Sequence, residues 1–379
     1  MRSFEYRLYP TKAQAIKLDA CLEASRLLYN EMLELEQTEY ASTGKFLFKY
    51  DLSLRFKGRG GEFVPQTTVQ CLASRLDKAL KAMLVRKKKV VRGGFPRFKG
   101  FLRWHSFQLR KWGSPGDVWV EDGCLRVPKK LGINIKLKLH RQLEGTPKTC
   151  HIVKRVDKWY AVIVCDVELN PPINTEPPIG IDVGLKSFLT DSNGETMENP
   201  HNFCSAERKL RKQQRRSSRR VKGSKRRRKA NVQVAKTHLK VKRQRRDFHF
   251  KVAKKYAESS SMICVEDLNI AGMIQNHHIA KSIADAGWAQ FLDILSSKVE
   301  ETGGQVVRVP AYYTSQKCSS CGEIVPKSLS VRTHVCSHCG YVADRDVNAA
   351  LNILQAGLQK IPLGQSGQTL TYEVTQCVV

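Results

Sequence analysis

The chain is poor in acidic residues and has no long apolar run. It holds 35 Asp and Glu against 65 Lys and Arg, a formal net charge of +30. A run of about 18 or more apolar residues, the signature of a membrane-spanning helix, is absent. The first residues also lack the basic-then-apolar pattern of a secretory signal. We therefore expect a protein that stays in the compartment where it is made.

The surplus of positive charge points to a polyanionic partner. Like charges repel one another in a compact chain unless something neutralises them. Hydrophobic residues make up 41% of the 379, enough for two or three domains with real cores. Nucleic acid is the expected partner. A basic protein of the membrane surface fits less well, since the chain has no lipid-anchor motif or isolated basic amphipathic helix.

The twelve cysteines fall into two groups. Eight are scattered among apolar neighbours and are expected to be small buried side chains in a reducing compartment. The others form two C-x2-C pairs, Cys318/Cys321 and Cys336/Cys339, and a glycine follows each pair, as knuckle turns favour. Four thiolates predict one closed, structural zinc site. The nearby His334 and His338 are expected to contact phosphate or solvent.

Three acidic positions suit a second metal site. Asp182 lies on a predicted strand between two glycines that would leave room for a ligand, and the apolar residues of that strand point the other way. Glu266 follows a buried strand, at the end where α/β folds place their sites. Asp344 and Asp346 precede an amphipathic helix, and spacing does not choose between them. Singly, each is more simply a turn residue, a solvated carboxylate or a helix cap. Together they predict bound Mg²⁺.

The periodicity of hydrophobic residues predicts short strands and helices in the first part of the chain. A linker and an α/β region follow. The series of strands suggests a small barrel. Residues 170–178, with four prolines, suggest the linker. The predicted elements of the first part are a strand at 3–9, one long helix or two at 11–43, a helix at 67–90, and strands between 105 and 170 with hairpins at Asp122-Gly123 and Asp157-Lys158. Those of the second part are strands at 179–183 and 185–190 with Asn193-Gly194 as their turn, a helix at 249–258, a strand at 262–265, a helix at 284–301 and a strand at 305–309.

Two basic stretches are candidate nucleic-acid contacts. Residues 86–107 interleave cations with aromatic rings, a pattern suited to phosphates and unpaired bases; alternatively, the rings pack into the core. Residues 208–246 hold 20 Lys or Arg and no acidic residue, which suits disorder or two helices bent near Gly223. The candidate contacts are Arg86, Lys87, Lys88, Arg97, Lys99, Arg103, Arg215, Arg216, Arg219, Arg220, Arg226, Arg227, Arg228, Lys242, Arg243 and Arg245.

Taken together, these motifs resemble the TnpB (OrfB) family of RNA-guided nucleases from insertion sequences and, more distantly, the type V CRISPR effectors. The matching segments, in family order, are Phe4–Pro10, Phe95–Lys99, Gly180–Gly184, Val265–Asn269, Tyr313–Cys318 and Asp344–Ala350. The resemblance implies that Asp182, Glu266 and Asp346 are catalytic and hold two Mg²⁺ ions, with Mn²⁺ as a fitting substitute. It favours Asp346 over Asp344.

The resemblance also implies a multidomain architecture. An α/β RNase H-like (RuvC-type) nuclease domain with an inserted zinc knuckle would accompany an N-terminal small β-barrel that carries a helical insertion. The expected segments are 1–10 and 103–170 for the wedge-like barrel, 11–102 for the helical recognition insertion, 171–312 and 341–361 for the nuclease domain with its basic helical insertion at 205–250, 313–340 for the knuckle, and 362–379 for a disordered tail.

The function implied by the resemblance is an RNA-guided, metal-dependent DNA endonuclease encoded by an insertion sequence. It would cut beside a short motif by two-metal hydrolysis, in the cytoplasm of a prokaryotic host and associated with the nucleoid. Its partners would be a guide RNA from the transposon end and double-stranded target DNA, with one protein per RNA and no membrane. The alternatives are an RNA-guided repressor that does not cut, a DNA transposase with an RNase H-like site, and a zinc-ribbon binder without activity.

Overall fold

The chain divides into two compact units, Met1–Glu168 and Leu169–Val379. The computed structural model describes residues 1–88, 94–109, 112, 118–127, 130–168, 171–172, 174–328 and 331–360. The predicted disordered tail at 362–379 lies outside these described residues. Within them, no helix combines the length and apolar character needed to cross a membrane.

A seven-stranded antiparallel sheet forms the base of the first unit. Its strand order is β2-β6-β7-β1-β5-β4-β3, so the N-terminal strand lies in the middle. The strands are β1 (Arg2–Tyr9), β2 (Ser106–Leu109), β3 (Trp119–Glu121), β4 (Cys124–Val127), β5 (Ile133–Leu137), β6 (Thr146–Arg155) and β7 (Lys158–Asp166). Both predicted hairpins are present, as β3–β4 and β6–β7. A closed barrel would require the edge strands β2 and β3 to pair, and no such pairing is present among the described residues, so the barrel stays a prediction.

Helices of the first unit share a core with this sheet. They are α1 (Lys12–Thr43), α2 (Lys49–Arg55) and α3 (Gln66–Lys88), followed by a 3-10 turn (Phe101–Arg103). The predicted helix at 11–43 is one unbroken helix. Thr11 and Gln14 cap its start with reciprocal side-chain hydrogen bonds, and Gly44 ends it in the left-handed conformation.

The second unit has an α/β fold around a five-stranded sheet of order β10-β9-β8-β11-β12. The strands are β8 (Ile179–Val183), β9 (Ser187–Asp191), β10 (Thr196–Glu198), β11 (Met262–Glu266) and β12 (Gln305–Val309). Strands β8, β11 and β12 run parallel, and β9 and β10 run antiparallel to their neighbours. The Asn193-Gly194 turn joins β9 to β10, which corrects its predicted place. Strand β10 has only three residues, too few for a periodic signal.

Six helices and a short hairpin complete the described part of the second unit. They are α4 (Asn202–Ser218), α5 (Lys225–Ser259), α6 (Ile270–Met273), α7 (Ala280–Ala286), α8 (Trp288–Glu301) and α9 (Arg345–Leu358), with the hairpin β13 (Thr333–Val335) and β14 (Val342–Asp344). The predicted break between two basic helices is present, since Gly223 adopts a φ of +84°. The single helix predicted at 284–301 is wrong at its start, because Gly287 (φ +68°) separates α7 from α8.

Helix α9 packs directly on the central strand β8, and glycine permits this approach. A Cβ atom at Gly180 would lie 2.1 Å from the carbonyl oxygen of Ala350 and 2.8 Å from the amide nitrogen of Leu354. Likewise, a Cβ at Gly357 would lie 2.1 Å from the sulfur of Cys264 on β11. Gly180 therefore makes room for a helix. The prediction that this glycine leaves room for a ligand is wrong.

We expect Gly180→Ala to lower the free energy of unfolding by about 1–3 kcal/mol, the usual cost of overpacking a filled interior. The added methyl group meets backbone atoms of α9, which move only with the whole helix. Chemical denaturation followed by circular dichroism measures the change. Gly100→Ala is the control, because a Cβ there enters open space. Equal, small changes in both variants would contradict the packing argument.

Candidate active site

Two of the predicted carboxylates lie side by side on adjacent strands of the sheet. Strands β8 and β11 are parallel, with Ile181 opposite Val265. Asp182 and Glu266 are the next residue on each strand, near the carboxyl ends of both. Because residues at equal register in neighbouring strands point to the same face, both carboxylates lie on the face that α9 covers.

The third carboxylate comes from the first turn of α9. Asp346 stands four residues before Ala350, the residue that touches β8, so one helical turn brings it towards Asp182. Asp344 is the helix cap instead. Its carboxylate accepts hydrogen bonds from the amide nitrogens of Asp346 at 2.8 Å and Val347 at 3.4 Å. The structure thus separates two aspartates that spacing did not distinguish.

The three carboxylates act on one another electrostatically. Burial raises the pKa of Asp182 well above its usual range, and the charges of Glu266 and Asp346 raise it further. Burial also raises the pKa of Glu266, against the effect of a hydrogen bond from the Thr314 hydroxyl. A divalent cation relieves such repulsion, and carboxylate oxygens are the ligands that Mg²⁺ prefers. The oxygens of the three carboxylates do not all lie within 4.8 Å of one another. Among the described residues, only the knuckle cysteines bring three or more ligand atoms that close together.

Two arginines that the sequence analysis did not identify lie beside the carboxylates. The charges of Arg345 and Arg332 act to lower the pKa of Asp182. The guanidinium of Arg332 is 3.6 Å from the Asp346 carboxylate. The amide nitrogen of Arg345 donates to the carbonyl oxygen of Arg332 at 2.7 Å. No spacing rule would have found Arg332, because only the pairing of β13 with β14 brings it here.

The four paired cysteines converge on one point. The sulfurs of Cys318 and Cys339 are 3.7 Å apart, and those of Cys321 and Cys336 are 3.6 Å apart. All four lie within 4.8 Å of one another. A disulfide requires about 2.0 Å, whereas sulfurs about 2.3 Å from a tetrahedral zinc stand about 3.8 Å apart. The geometry therefore fits a zinc ion held by four thiolates.

Tight backbone turns aim these sulfurs. The amide nitrogen of Gly322 donates to the carbonyl of Cys318 at 2.9 Å, and that of Gly340 donates to Cys336 at 3.0 Å. Both glycines have a positive φ, +85° and +76°, which explains the choice of glycine after each pair. A hydrogen bond from the amide of Cys339 is the main reason that the pKa of the Cys336 thiol falls to about 6. In contrast, although an amide hydrogen bond from Glu323 acts to lower the pKa of the Cys321 thiol, burial and hydrogen bonds to the other three sulfurs raise it to about 12.

The nearby histidines differ from each other. His338 is exposed. His334 is buried in the knuckle hairpin, where its Nδ1 contacts the amino group of Lys327. The prediction that His334 contacts phosphate or solvent is therefore wrong, because the pairing of β13 with β14 turns its ring inward.

Most of the scattered cysteines are buried, as predicted. The buried ones are Cys21, Cys71, Cys150, Cys165 and Cys264. Cys124 is half-buried, and Cys377 lies outside the described residues. Cys204 is exposed on the basic helix α4, which corrects the prediction for that position. Among the described residues, none of these cysteines joins the four sulfurs of the knuckle.

The basic tract forms two helices, α4 and α5. A groove of about 950 Å³ runs along α4. It is lined by Cys204, Glu207, Arg208, Arg211, Lys212, Arg215, Arg216, Arg219 and Arg220. Four of the predicted contacts therefore line one groove. On α5, Arg226, Arg228, Lys242 and Arg243 are exposed, while Arg227 is half-buried.

Arg245 differs from the other predicted contacts. Its guanidinium lies 3.1 Å from the buried carboxylate of Asp285 on α7. That carboxylate also accepts hydrogen bonds from the amide nitrogens of Phe203 and Cys204 at the start of α4. Because Asp285 is buried, its partners hold α4, α5 and α7 together. This charge therefore contributes to the fold, and contact of Arg245 with nucleic acid stays a prediction.

The other basic stretch is divided between surface and core. Arg86, Lys87, Lys88, Arg97 and Arg103 are exposed. Lys99 is half-buried, and its backbone is bound by Asn30 and Arg26. Among the aromatic residues, Phe95 and Trp104 pack into the core, whereas Phe98 and Phe101 are exposed. Packing of the rings into the core is therefore confirmed for Phe95 and Trp104, while contact of Phe98 and Phe101 with nucleic acid stays a prediction.

Comparison with known proteins adds independent information. Residues 162–277 match the OrfB_IS605 family, "Probable transposase", 288–353 match the "Cas12f1-like, TNB domain", and 1–45 match a "Helix-turn-helix domain". A "Putative RNA-guided DNA endonuclease" of Streptomyces pristinaespiralis is 31% identical over 94% of this chain and 89% of its own length. The "TnpB-like protein L770" of Acanthamoeba polyphaga mimivirus is 26% identical over 94% of this chain and 73% of its own.

This chain belongs to the TnpB family. Another relative, the "Putative RNA-guided DNA endonuclease InsQ" of Escherichia coli K12, is 27% identical over 100% of this chain and 98% of its own length. Segment 1–45 of this TnpB member is a strand and one continuous helix rather than two helices and a turn.

Solved structures agree with this fold. A "Cas12f1-sgRNA-target DNA complex" contains a chain that matches with a TM-score of 0.61 and 17% identity, over 89% of this TnpB chain and 81% of the other. The "mini-RNA-guided endonuclease CRISPR-Cas_phi3" matches with a TM-score of 0.51 and 10% identity, over 94% and 92%. At such identities the likeness shows the fold alone. It shows that this chain shares the fold of these two solved chains.

We expect the purified protein to carry one zinc ion per chain and Cys318→Ser to lose it. Loss of one thiolate opens the coordination sphere, and zinc-site binding energy is folding energy. Elemental analysis measures the zinc, and a thermal melt measures the accompanying fall in stability. Cys204→Ser is the control, since that exposed thiol lies outside the knuckle. Full zinc content in Cys318→Ser would rule out the four-cysteine site.

We expect the double variant Arg215→Ala/Arg219→Ala to weaken RNA binding and to flatten its salt dependence. Each lost phosphate contact reduces the slope of log Kd against log salt by about 1. Fluorescence anisotropy with a labelled RNA at several salt concentrations measures the slope. Lys251→Ala/Lys254→Ala removes the same charge from α5, where Asp247 and Glu258 already pair with these lysines. The groove assignment fails if both double variants flatten the slope equally.

Proposed function

We propose that this TnpB-family protein is an RNA-guided, metal-dependent DNA endonuclease encoded by an insertion sequence. The observation that carries the proposal is the convergence of Asp182, Glu266 and Asp346 from β8, β11 and α9 on one face of a RuvC-type fold. Relatives named as RNA-guided DNA endonucleases align along nearly the whole chain. The matched length therefore spans the segments that carry the carboxylates, the knuckle and the basic helices.

The three carboxylates would hold two Mg²⁺ ions, or Mn²⁺ in their place. Such a pair of cations, when bound, activates water, orients the scissile phosphate and stabilises the leaving oxygen. Residues of the chain support this chemistry. Asp344 caps α9 and so fixes the helix that carries Asp346. Arg332 and Arg345 place positive charge beside the carboxylates, where it attracts a phosphodiester.

Target sequence would be read by base pairing with the guide RNA, while the protein holds the backbones. The exposed arginines of α4 and α5 suit this role, since those of α4 offer positive charge along a groove. In the first unit, Arg97 and Arg103 stand next to the exposed rings of Phe98 and Phe101, a combination suited to unpaired bases. We propose one protein chain per guide RNA.

The decisive experiment is to sequence the RNA that copurifies with the protein and to assay that complex. A plasmid with a randomised flank beside the target is incubated with Mg²⁺ or with EDTA. A discrete RNA that ends in a variable guide, with Mg²⁺-dependent cuts beside one short motif, supports the proposal. Specific binding without cuts would indicate a guided repressor. Absence of a specific RNA would favour a transposase or a simple binder.

We expect Asp182→Asn to reduce DNA cutting by more than about 100-fold while the copurified RNA stays. Even residues that only support metal ligands are worth about 10–100-fold, and Asp182 is placed to bind the cations directly. Gel analysis of cut plasmid and of bound RNA gives both readouts. Asp267→Asn is the matched control, because this exposed carboxylate follows Glu266 but pairs with Arg308 at 3.5 Å. Wild-type cutting by Asp182→Asn would overturn the site assignment.

A further inference from the structure

A hydrogen bond connects the candidate active site to the segment that enters the zinc knuckle. The hydroxyl of Thr314 donates to a carboxylate oxygen of Glu266 at 2.5 Å. Thr314 lies four residues before Cys318, the first zinc ligand, and 48 residues after Glu266 in sequence. Thr314 is half-buried, so the contact between its hydroxyl and the carboxylate is partly shielded from solvent. A charge-assisted bond of this kind restrains the carboxylate more strongly than a neutral one.

Two buried amides of α9 hold the segment that carries Thr314. The side-chain nitrogen of Asn352 donates to the carbonyl oxygens of Thr314 at 2.8 Å and Lys317 at 2.7 Å. Asn348 donates to Lys317 at 2.8 Å and accepts from the amide nitrogen of Ser319 at 2.9 Å. Asn348 is 0% exposed and Asn352 is 6% exposed. Their geometry is therefore fixed by packing, and the segment follows the helix.

The residue before Thr314 adopts an unusual backbone conformation. Tyr313 has a φ of +57°, in the left-handed region that residues other than glycine seldom occupy. Its carbonyl oxygen accepts hydrogen bonds from the amide nitrogens of Gln316 at 2.9 Å and Lys317 at 2.8 Å. This tight turn sets the direction of the Thr314 side chain. Conformations of this kind persist where the surroundings impose them, often at functional sites.

We propose that Thr314 is a positioning residue that holds Glu266 in place to bind a divalent cation, and that Asn352 holds Thr314. Without the hydroxyl, Glu266 would be free to turn away from the like charge of Asp182 beside it. Helix α9 would then position two metal ligands. It carries Asp346 itself, and it holds Glu266 through Asn352 and Thr314. The reaction in question is the proposed DNA cleavage, but the effect on cation binding does not require that reaction.

Two substitutions at Thr314 separate the hydrogen bond from simple packing. Thr314→Val keeps the shape and removes the donor, whereas Thr314→Ser keeps the donor. We expect Thr314→Val to raise the Mg²⁺ concentration for half-maximal cutting by about 10–100-fold, the usual effect of losing a partner of a metal ligand. Thr314→Ser should restore the wild-type value. A second readout, independent of cutting, is Mn²⁺ affinity from the EPR signal of free Mn²⁺, compared between variants so that sites on the bound RNA cancel.

Thr302→Val is the matched control for loss of a threonine hydroxyl. Thr302 is half-buried and donates to the carbonyl of Ala257 at 2.8 Å, but the structure shows no bond from it to a carboxylate. It should keep wild-type Mg²⁺ and Mn²⁺ dependence. The proposal is overturned if Thr314→Val binds Mn²⁺ as the wild type does, or if Thr314→Ser is as defective as Thr314→Val. If the wild-type complex does not cut DNA, the proposed function fails, and the Mn²⁺ comparison still decides the role of Thr314.

The role of Asn352 is tested by a double-mutant cycle. If Asn352 acts through Thr314, then Asn352→Leu should lower Mn²⁺ affinity in the wild-type background and change it little in the Thr314→Val background. Full effects in both backgrounds would show that Asn352 acts independently and would overturn that part of the proposal. A thermal melt of each variant identifies any loss of folding.

Discussion

The close approach of helix α9 to strand β8 is the contact on which the candidate active site depends. Carboxylates on adjacent strands are neighbours by register alone, but Asp346 reaches them only because Gly180 lets the helix backbone touch the sheet. A side chain at that position would move the helix away and take the third carboxylate with it. The cap from Asp344 and the amides of Asn348 and Asn352 then fix the helix end and the segment beside it. The absence of a Cβ atom at Gly180 thus allows the close approach of α9 that brings Asp346 to the other two carboxylates.

Positive charge is distributed unevenly within the second unit. Repulsion among Asp182, Glu266 and Asp346 is opposed by Arg332 and Arg345 nearby, whereas the bulk of the positive charge lies on α4 and α5. Those helices form despite their charge because they bury a few apolar side chains, such as Leu210 and Val241, against their neighbours. A buried ion pair between Arg245 and Asp285 joins them to α7. Four exposed arginines in and just after α4, Arg215, Arg216, Arg219 and Arg220, line the groove along that helix.

The zinc knuckle is tied to the nuclease fold by more than the chain that runs through it. Hydrogen bonds from α9 bind the residues on both sides of Cys318, and the pairing of β13 with β14 brings Arg332 to Asp346. The sulfur positions fit a tetrahedral zinc ion, whose binding would stabilise the folded knuckle. Folding of the knuckle and arrangement of the carboxylates therefore share a set of contacts. This explains why the cysteine pairs stand between two parts of one candidate site.

Features that depend on local spacing could be predicted from the sequence. Alternating residues predicted β1, β5 and β8, the C-x2-C pairs predicted the knuckle, and the motifs around Asp182, Glu266 and Asp346 predicted the carboxylates and the family. The remaining features required the folded structure. It distinguished the cap Asp344 from Asp346, assigned Gly180 to helix packing, placed Arg245 in an ion pair and His334 in a core, and brought Thr314 and Arg332 to the site. The reason is physical: a cap, a turn or a metal knuckle is formed by residues a few positions apart, whereas these roles arise from contacts between elements distant in the chain.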